Sequence, residues 1–162
     1  MKTNRRNFIS PSLAAGIGAS LPGCSRQSYD LGEKYATLDD ILKKPVLRKE
    51  LFPDPVIIDT LDLLRLGNTF LCRVRSKDGA EGISVANNDQ MKSLWPVFIN
   101  RLQPFFPGKD ARALEAILEE VYIYQSNYKM QNLALWVPLA TIEFAILDML
   151  GKISGKSLGQ LI

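Results

Sequence analysis

Three short apolar runs between residues 56 and 85 constrain this chain more than any other stretch. Residues 56–64, 69–75 and 81–85 are rich in leucine, β-branched or aromatic side chains and are bounded by turn chemistry, so each reads as a strand. Asp78-Gly79 separates the second from the third, and Asp-Gly between such runs marks a hairpin because glycine accepts positive φ at no steric cost. A two-residue turn would set Lys77 opposite Ala80, Val74 opposite Ile83 and Cys72 opposite Val85. Arg75 would then face Gly82, and Arg73 would face Ser84. Apolar pairs share one face in that register, which a one-residue slip would destroy. The expectation is a three-stranded antiparallel meander.

Helical periodicity takes over after Asn87-Asn88-Asp89. Met91, Leu94, Trp95, Phe98, Ile99 and Leu102 fall on one helical face, with Pro96 as a source of a kink. Asp110 caps a second helix whose buried stripe is Leu114, Ile117, Leu118 and Val121, leaving Glu115, Glu119 and Glu120 on the outer face. A third helix carries Pro138 in its first turn and the stripe Leu139, Ile142, Ile146, Met149, Leu150 and Ile153, with Gly155 as its C-terminal cap. Residues 157–162 follow without a closing element. Strands followed by helices make an α+β domain with three main helices on one face of the sheet.

Upstream, residues 25–54 read as a polar tether broken by Pro45 and Pro53. It holds one short helix, capped by Thr37, with Leu38, Ile41 and Leu42 as an apolar edge against the domain. Residues 1–24 have the pattern of an export signal: a basic start, then a weakly apolar, uncharged run too short to span a bilayer. Arg5 and Arg6, followed by Phe8 and Ile9, resemble the twin-arginine export motif. Leu21-Pro22-Gly23-Cys24 resembles a bacterial lipobox, which makes Cys24 the lipidation residue and places the protein on the periplasmic side of a membrane through a lipid anchor.

Composition then removes several function classes. The formal charge of +3 comes entirely from the first 24 residues, because the rest carries 17 basic and 17 acidic groups. No basic patch remains for nucleic acid. The chain has no histidine and only two cysteines, Cys24 and Cys72, so Ser-His-Asp and Cys-His arrangements and the usual zinc sites are excluded, and no metal site is expected on it. Cys72 reads as a small core residue of the hairpin.

The run Ala145-Ile146-Leu147-Asp148-Met149-Leu150-Gly151-Lys152, continuing to Gly155 and Leu158, resembles an Ala-Leu-Trp-Asp-Leu-x-Gly-Lys motif, with Leu147 in place of Trp. Val74 to Gly82, Phe106-Pro107-Gly108-Lys109-Asp110 and Ala140 to Glu143 add further matches in the same order. Together they resemble the N-terminal capping domain of the mandelate racemase and muconate-lactonising enzyme family, within the enolase superfamily, over residues 55–162. The resemblance implies a following (β/α) barrel that carries the catalytic bases and binds Mg²⁺, and a small carboxylate substrate. Known members are racemases, epimerases, cycloisomerases and sugar-acid dehydratases. None of the barrel's catalytic positions falls within this chain, so no catalytic residue is assigned, and Asp148 and Lys152 are expected to be structural partners.

In that family, loops at one edge of the capping sheet shape substrate choice. The matching positions here are Gly67, Asn68 and Thr69 between the first two strands, and Asn87 and Asn88 after the third. From the residues alone, Asn68 and Asn88 read instead as turn and cap residues with no ligand. A stand-alone periplasmic lipoprotein that binds or scaffolds a partner is the other reading that the sequence leaves open.

Overall fold

A computed structural model describes residues 31–125 and 132–162. Arg5, Arg6 and Cys24 lie outside the described residues, as does the polar loop 126–131. Two units divide between Asp40 and Ile41. Helix α1 (Leu31–Leu42) begins before Thr37, which sits inside it rather than at its cap, because Tyr35 and Ala36 continue the helix instead of breaking it. Leu38, Ile41 and Leu42 are exposed, so the apolar edge expected there is not buried.

The larger unit starts at Ile41, ahead of the boundary expected at residue 55. Leu47 and Phe52 explain the difference, since both are core residues. Their stretch is tied down by polar contacts as well. The Glu115 carboxylate accepts the Leu47 amide at 2.9 Å, and Arg112 donates to the Phe52 carbonyl at 3.0 Å. Glu115 is therefore a clamp on the incoming chain, not a purely solvated group.

Strands β1 (Ile58–Leu66), β2 (Thr69–Ser76) and β3 (Glu81–Val85) form the antiparallel meander in that order. The second hairpin differs from the expected register by one residue: Arg75 pairs with Glu81, Val74 with Gly82, Arg73 with Ile83 and Cys72 with Ser84. The turn has three residues, not two. The Ser76 carbonyl accepts the Gly79 amide at 3.0 Å, the Ser76 amide donates to the Ala80 carbonyl at 2.9 Å, and Gly79 takes φ +87°. This is the arrangement of a three-residue hairpin loop with glycine at its left-handed position. The slip sends Ile83 and Val85 to the outer face and turns Gly82, Ser84 and Ala86 inward.

Small residues are needed inside because helix α4 (Leu133–Ser154) lies directly on β3. A Cβ on Gly82 would come within 2.0 Å of the Ala145 carbonyl oxygen and 2.5 Å of the Met149 amide nitrogen. Polar side chains settle on the other face, where Arg73 pairs with Asp62 at 2.9 Å and Arg75 with Glu81 at 2.7 Å. Helix packing, more than hairpin propensity, selects the register.

Helix α2 (Asn88–Val97) continues into a π-turn, Phe98–Leu102, just after Pro96. The Gln103 amide reaches back to the Phe98 carbonyl at 2.8 Å, one residue beyond the α-helical partner. Helix α3 (Leu114–Ile123) follows a 3₁₀ turn capped by Asp110, and buried Arg101 donates to its last carbonyls, those of Val121, Tyr122 and Tyr124. That contact answers the carbonyls left open at a helix end.

Helix α4 is long and apolar enough to cross a bilayer by length and composition, yet half of its apolar window is buried inside the fold. Leu139, Ile142, Ile146, Met149 and Leu150 are buried as expected, and each such side chain contributes roughly 1.5–3 kcal/mol. Ile153 is exposed instead. The last residues do close the unit: α5 (Leu158–Leu161) buries Leu161, whose carbonyl accepts the Arg48 amide at 2.7 Å. The architecture is α+β, a three-stranded antiparallel sheet with α2 and α4 packed on it; no barrel is present among the described residues.

Candidate functional site

The loop between β1 and β2 is a two-residue turn. Leu66 pairs with Thr69, Gly67 takes φ +59° and Asn68 has no positive φ, as in a turn of type II′. Gly67 and Asn68 are exposed, and Thr69 is half-buried. The hairpin is therefore tight and short.

Asn87 and Asn88 lie beside the base of this hairpin. Asn87 caps α2, its side-chain oxygen accepting the Gln90 amide at 3.3 Å. The Asn88 side chain accepts the Phe70 amide at 2.7 Å, one step past the point where the Ala86 amide donates to the Phe70 carbonyl at 3.0 Å. Asn88 thus prolongs the β2–β3 ladder with its side chain after β3 has ended. The structure brings Thr69 and Asn88 together through Phe70, while Asn68 projects from the tip and Asn87 is engaged with its own helix.

A groove of about 340 Å³ opens next to that hairpin, lined by Leu63, Arg65, Phe70, Trp95 and Ile99. Arg65 donates from Nε to the Gly67 carbonyl at 2.9 Å, and its guanidinium carbon lies 5.5 Å from the centre of the Phe70 ring. Both contacts hold the planar group in place while leaving its two terminal nitrogens without a protein partner among the described residues. Trp95 is 46% exposed, although the sequence stripe assigns it to the core. The buried arc of this segment runs through Met91, Val97 and Phe98, with Leu94 half-buried, which leaves Trp95 at the arc's edge. Arg65 and Trp95 are the residues that sequence reasoning missed. A basic residue two places before Gly67 is the only signal that pointed to the first.

On the opposite edge of the sheet, the charged groups of the Asp148 motif are engaged with the strand. The Asp148 carboxylate accepts the Ile83 amide at 2.8 Å and Lys152 at 2.7 Å, and Lys152 also reaches the Glu81 carbonyl at 3.2 Å. Partial burial alone would raise the Asp148 carboxyl, but the Lys152 hydrogen bond, the Ile83 amide and the Lys152 charge together hold it below its ordinary value. The same balance applies at Asp110, where burial is outweighed by Arg112 and by the Arg112 and Val56 amides. Glu143, half-buried on α4, goes the other way, because burial raises it and no described group pairs with it. Burial likewise drives the Cys72 thiol strongly upward, with Asp62 adding to the shift, so Cys72 stays an inert core thiol. Asp148 and Lys152 also line a cleft of about 460 Å³ with Ile83, Phe144, Lys156 and Leu158, where Asp148 Oδ2 and Lys152 Nζ are engaged with each other and with β3.

No family model matches the chain, and no curated protein matches it. Solved structures do share its fold. A provisionally named racemase from Roseobacter denitrificans aligns with TM-score 0.55 and 22% identity, covering 64% of this chain and 28% of that one. A muconate cycloisomerase from Azorhizobium caulinodans aligns with TM-score 0.52 and 19% identity, covering 67% of this chain and 30% of that one. A mandelate racemase/muconate lactonizing protein from Paracoccus denitrificans gives TM-score 0.52 and 19% identity, over 67% and 29%. The chain spans less than a third of the length of each. What they share with it is the fold.

Proposed function

We propose that this chain is the capping, substrate-specificity part of an exported enolase-superfamily enzyme and is not catalytic by itself. The observation that carries this reading is the fold held in common with racemase and cycloisomerase structures, of which the chain covers less than a third. In this proposal the partner is a C-terminal barrel domain, and the substrate is a small carboxylate. The reaction is a racemisation, epimerisation, cycloisomerisation or sugar-acid dehydration.

Mg²⁺ would serve the whole enzyme by stabilising negative charge next to the substrate carboxylate. The residues described here do not fit that ion, since no group of three or more acidic, histidine or cysteine side chains is placed to hold a metal among them. In this reading the catalytic residues belong to the barrel. Its contribution is to hold the Gly67–Asn68 turn with Thr69, and Asn87 with Asn88, at the rim of the substrate site, where the Asn88–Phe70 bond fixes one loop to the other. Export through Arg5 and Arg6, and lipid anchoring at Cys24 on the periplasmic face of a membrane, belong to the same proposal.

The test is an activity comparison. The 162-residue chain, supplied with Mg²⁺ and a panel of sugar acids and hydroxy acids, is expected to give no turnover. Turnover by this chain alone would overturn the assignment.

A further inference from the structure

We propose that α1 lies in the surface of a lipid bilayer, with Tyr35, Leu38, Ile41 and Leu42 inserted between the headgroups and the upper tails. The inference rests on the lipid anchor at Cys24 proposed above, and it concerns a helix outside the region that resembles the capping domain.

The helix presents an apolar face to solvent. Tyr35, Leu38 and Leu42 fall at i, i+3 and i+7, Ile41 lies beside them, and all four are more than half exposed. Ala36 and Asp40 occupy the far side of the same helix. Single apolar residues on a surface need no partner, but a whole helical face of them marks a contact.

Three observations select a lipid surface as the partner. First, length: α1 has 12 residues, too few to cross a bilayer and too few for the sustained heptads of a coiled coil with a second copy. A helix of that length can lie flat in the interface. Second, ends: Tyr35, with an apolar ring and a polar hydroxyl, stands at the start of the face, and Lys43 and Lys44 follow its last residue directly. Lysine stems run along apolar surface while their ammonium groups stay in the headgroup layer. Third, reach: residues 25–30 separate Cys24 from α1, a span of at most about 25 Å. A helix on so short a tether meets the bilayer of its own anchor at high local concentration, so a small apolar face suffices. Between residues 31 and 44, Glu33, Asp39 and Asp40 balance Lys34, Lys43 and Lys44. Burial of the apolar face, more than attraction to anionic lipid, therefore carries the contact.

The test is tryptophan fluorescence of the whole chain as the cell makes it, in vesicles of phosphatidylethanolamine with phosphatidylglycerol as the minor lipid, brominated near the top of their tails. Leu38→Trp and Leu42→Trp should lose emission to the bromines beyond the level set by Trp95 and Trp136 in the unsubstituted chain. The same two variants should be shielded from aqueous iodide, and Ale-side controls Ala36→Trp and Asp40→Trp should show the reverse. All four positions are exposed, so the variants should keep the wild-type fold. Iodide quenching at all four would place the face in water and overturn the proposal. Shielding of positions 38 and 42 from both quenchers would mean that protein covers the face, a second copy included, and would overturn it equally. The mass of the mature N-terminus, with or without a diacylglycerol group on Cys24, tests the anchor separately. A lipidated Cys24 with positions 38 and 42 in water defeats this inference alone, and bromine quenching with an unlipidated Cys24 defeats the anchor alone. Neither result touches the capping role, which turns on the presence of a barrel.

Discussion

Along β3, Asp148 and Lys152 direct their hydrogen bonds to the Ile83 amide and the Glu81 carbonyl, the strand groups that face away from β2. Beside β1, the Arg65 guanidinium is held by one carbonyl and one ring, and its outer donors meet no described protein group. A strand edge with open amides and carbonyls invites pairing with another chain, so the β3 charges act as an architectural seal. The β1 side keeps its donors above an apolar floor. A charged residue in a motif is thus no guide to chemistry until its hydrogen bonds are counted: the more motif-like pair here is tied to the strand, while Arg65 keeps its outer donors free of described protein groups.

The sharpest way to break the β3 half of that contrast is Gly82→Val. Its Cβ would be driven into the backbone of α4, and stability should drop by about 3 kcal/mol or more, read from urea unfolding. A loss under about 1 kcal/mol would mean that α4 does not lie on Gly82.

Asp148→Ala should cost about 0.5–1.5 kcal/mol, since it removes the acceptor of the Ile83 amide and one of the two acceptors of Lys152. The pH dependence follows from the direction of the shift. A carboxyl held below its ordinary 3.8 gives its full stabilisation above that value and loses it as the pH falls through the lowered folded-state value. Acid titration of stability should therefore separate wild type from Asp148→Ala at neutral pH and bring the two together in strong acid.

A smaller effect tests the turn that sets the register between the halves. Gly79→Ala should cost about 1 kcal/mol, because φ +87° suits glycine alone, without changing any sheet contact. Equal stability would mean that Gly79 does not hold its positive φ.

The least destabilising change should be Arg65→Gln, within about 0.5 kcal/mol of wild type, as expected for an exposed side chain with one backbone contact. A large stability loss would move Arg65 to the structural side of the comparison.

How legible this was depended on the range of the interactions involved. The strands, the cap at Asp110, the stop at Gly155 and most of the α4 stripe follow from local pattern, and the structure has them. The hairpin register did not follow, because the deciding contact is between Gly82 and Ala145, far apart in sequence and invisible to alternation. Trp95 was assigned to the core since a regular helix places it with Met91; in the fold Val97 is buried and Trp95 lies at the edge of the arc. Leu47 and Phe52 were hidden among prolines and charges, where no period of 2 or 3.6 marks burial. At the candidate site, Asn88 was visible as a residue type, but its bond to the Phe70 amide depends on where β3 ends.

The central claim is that this chain caps a catalytic barrel, and the most direct measurement is the genomic and transcript sequence read onward from the Ile162 codon. The account predicts an open frame encoding a (β/α) barrel with acidic metal ligands and a lysine or histidine base. An in-frame stop with no barrel-coding frame nearby would contradict it.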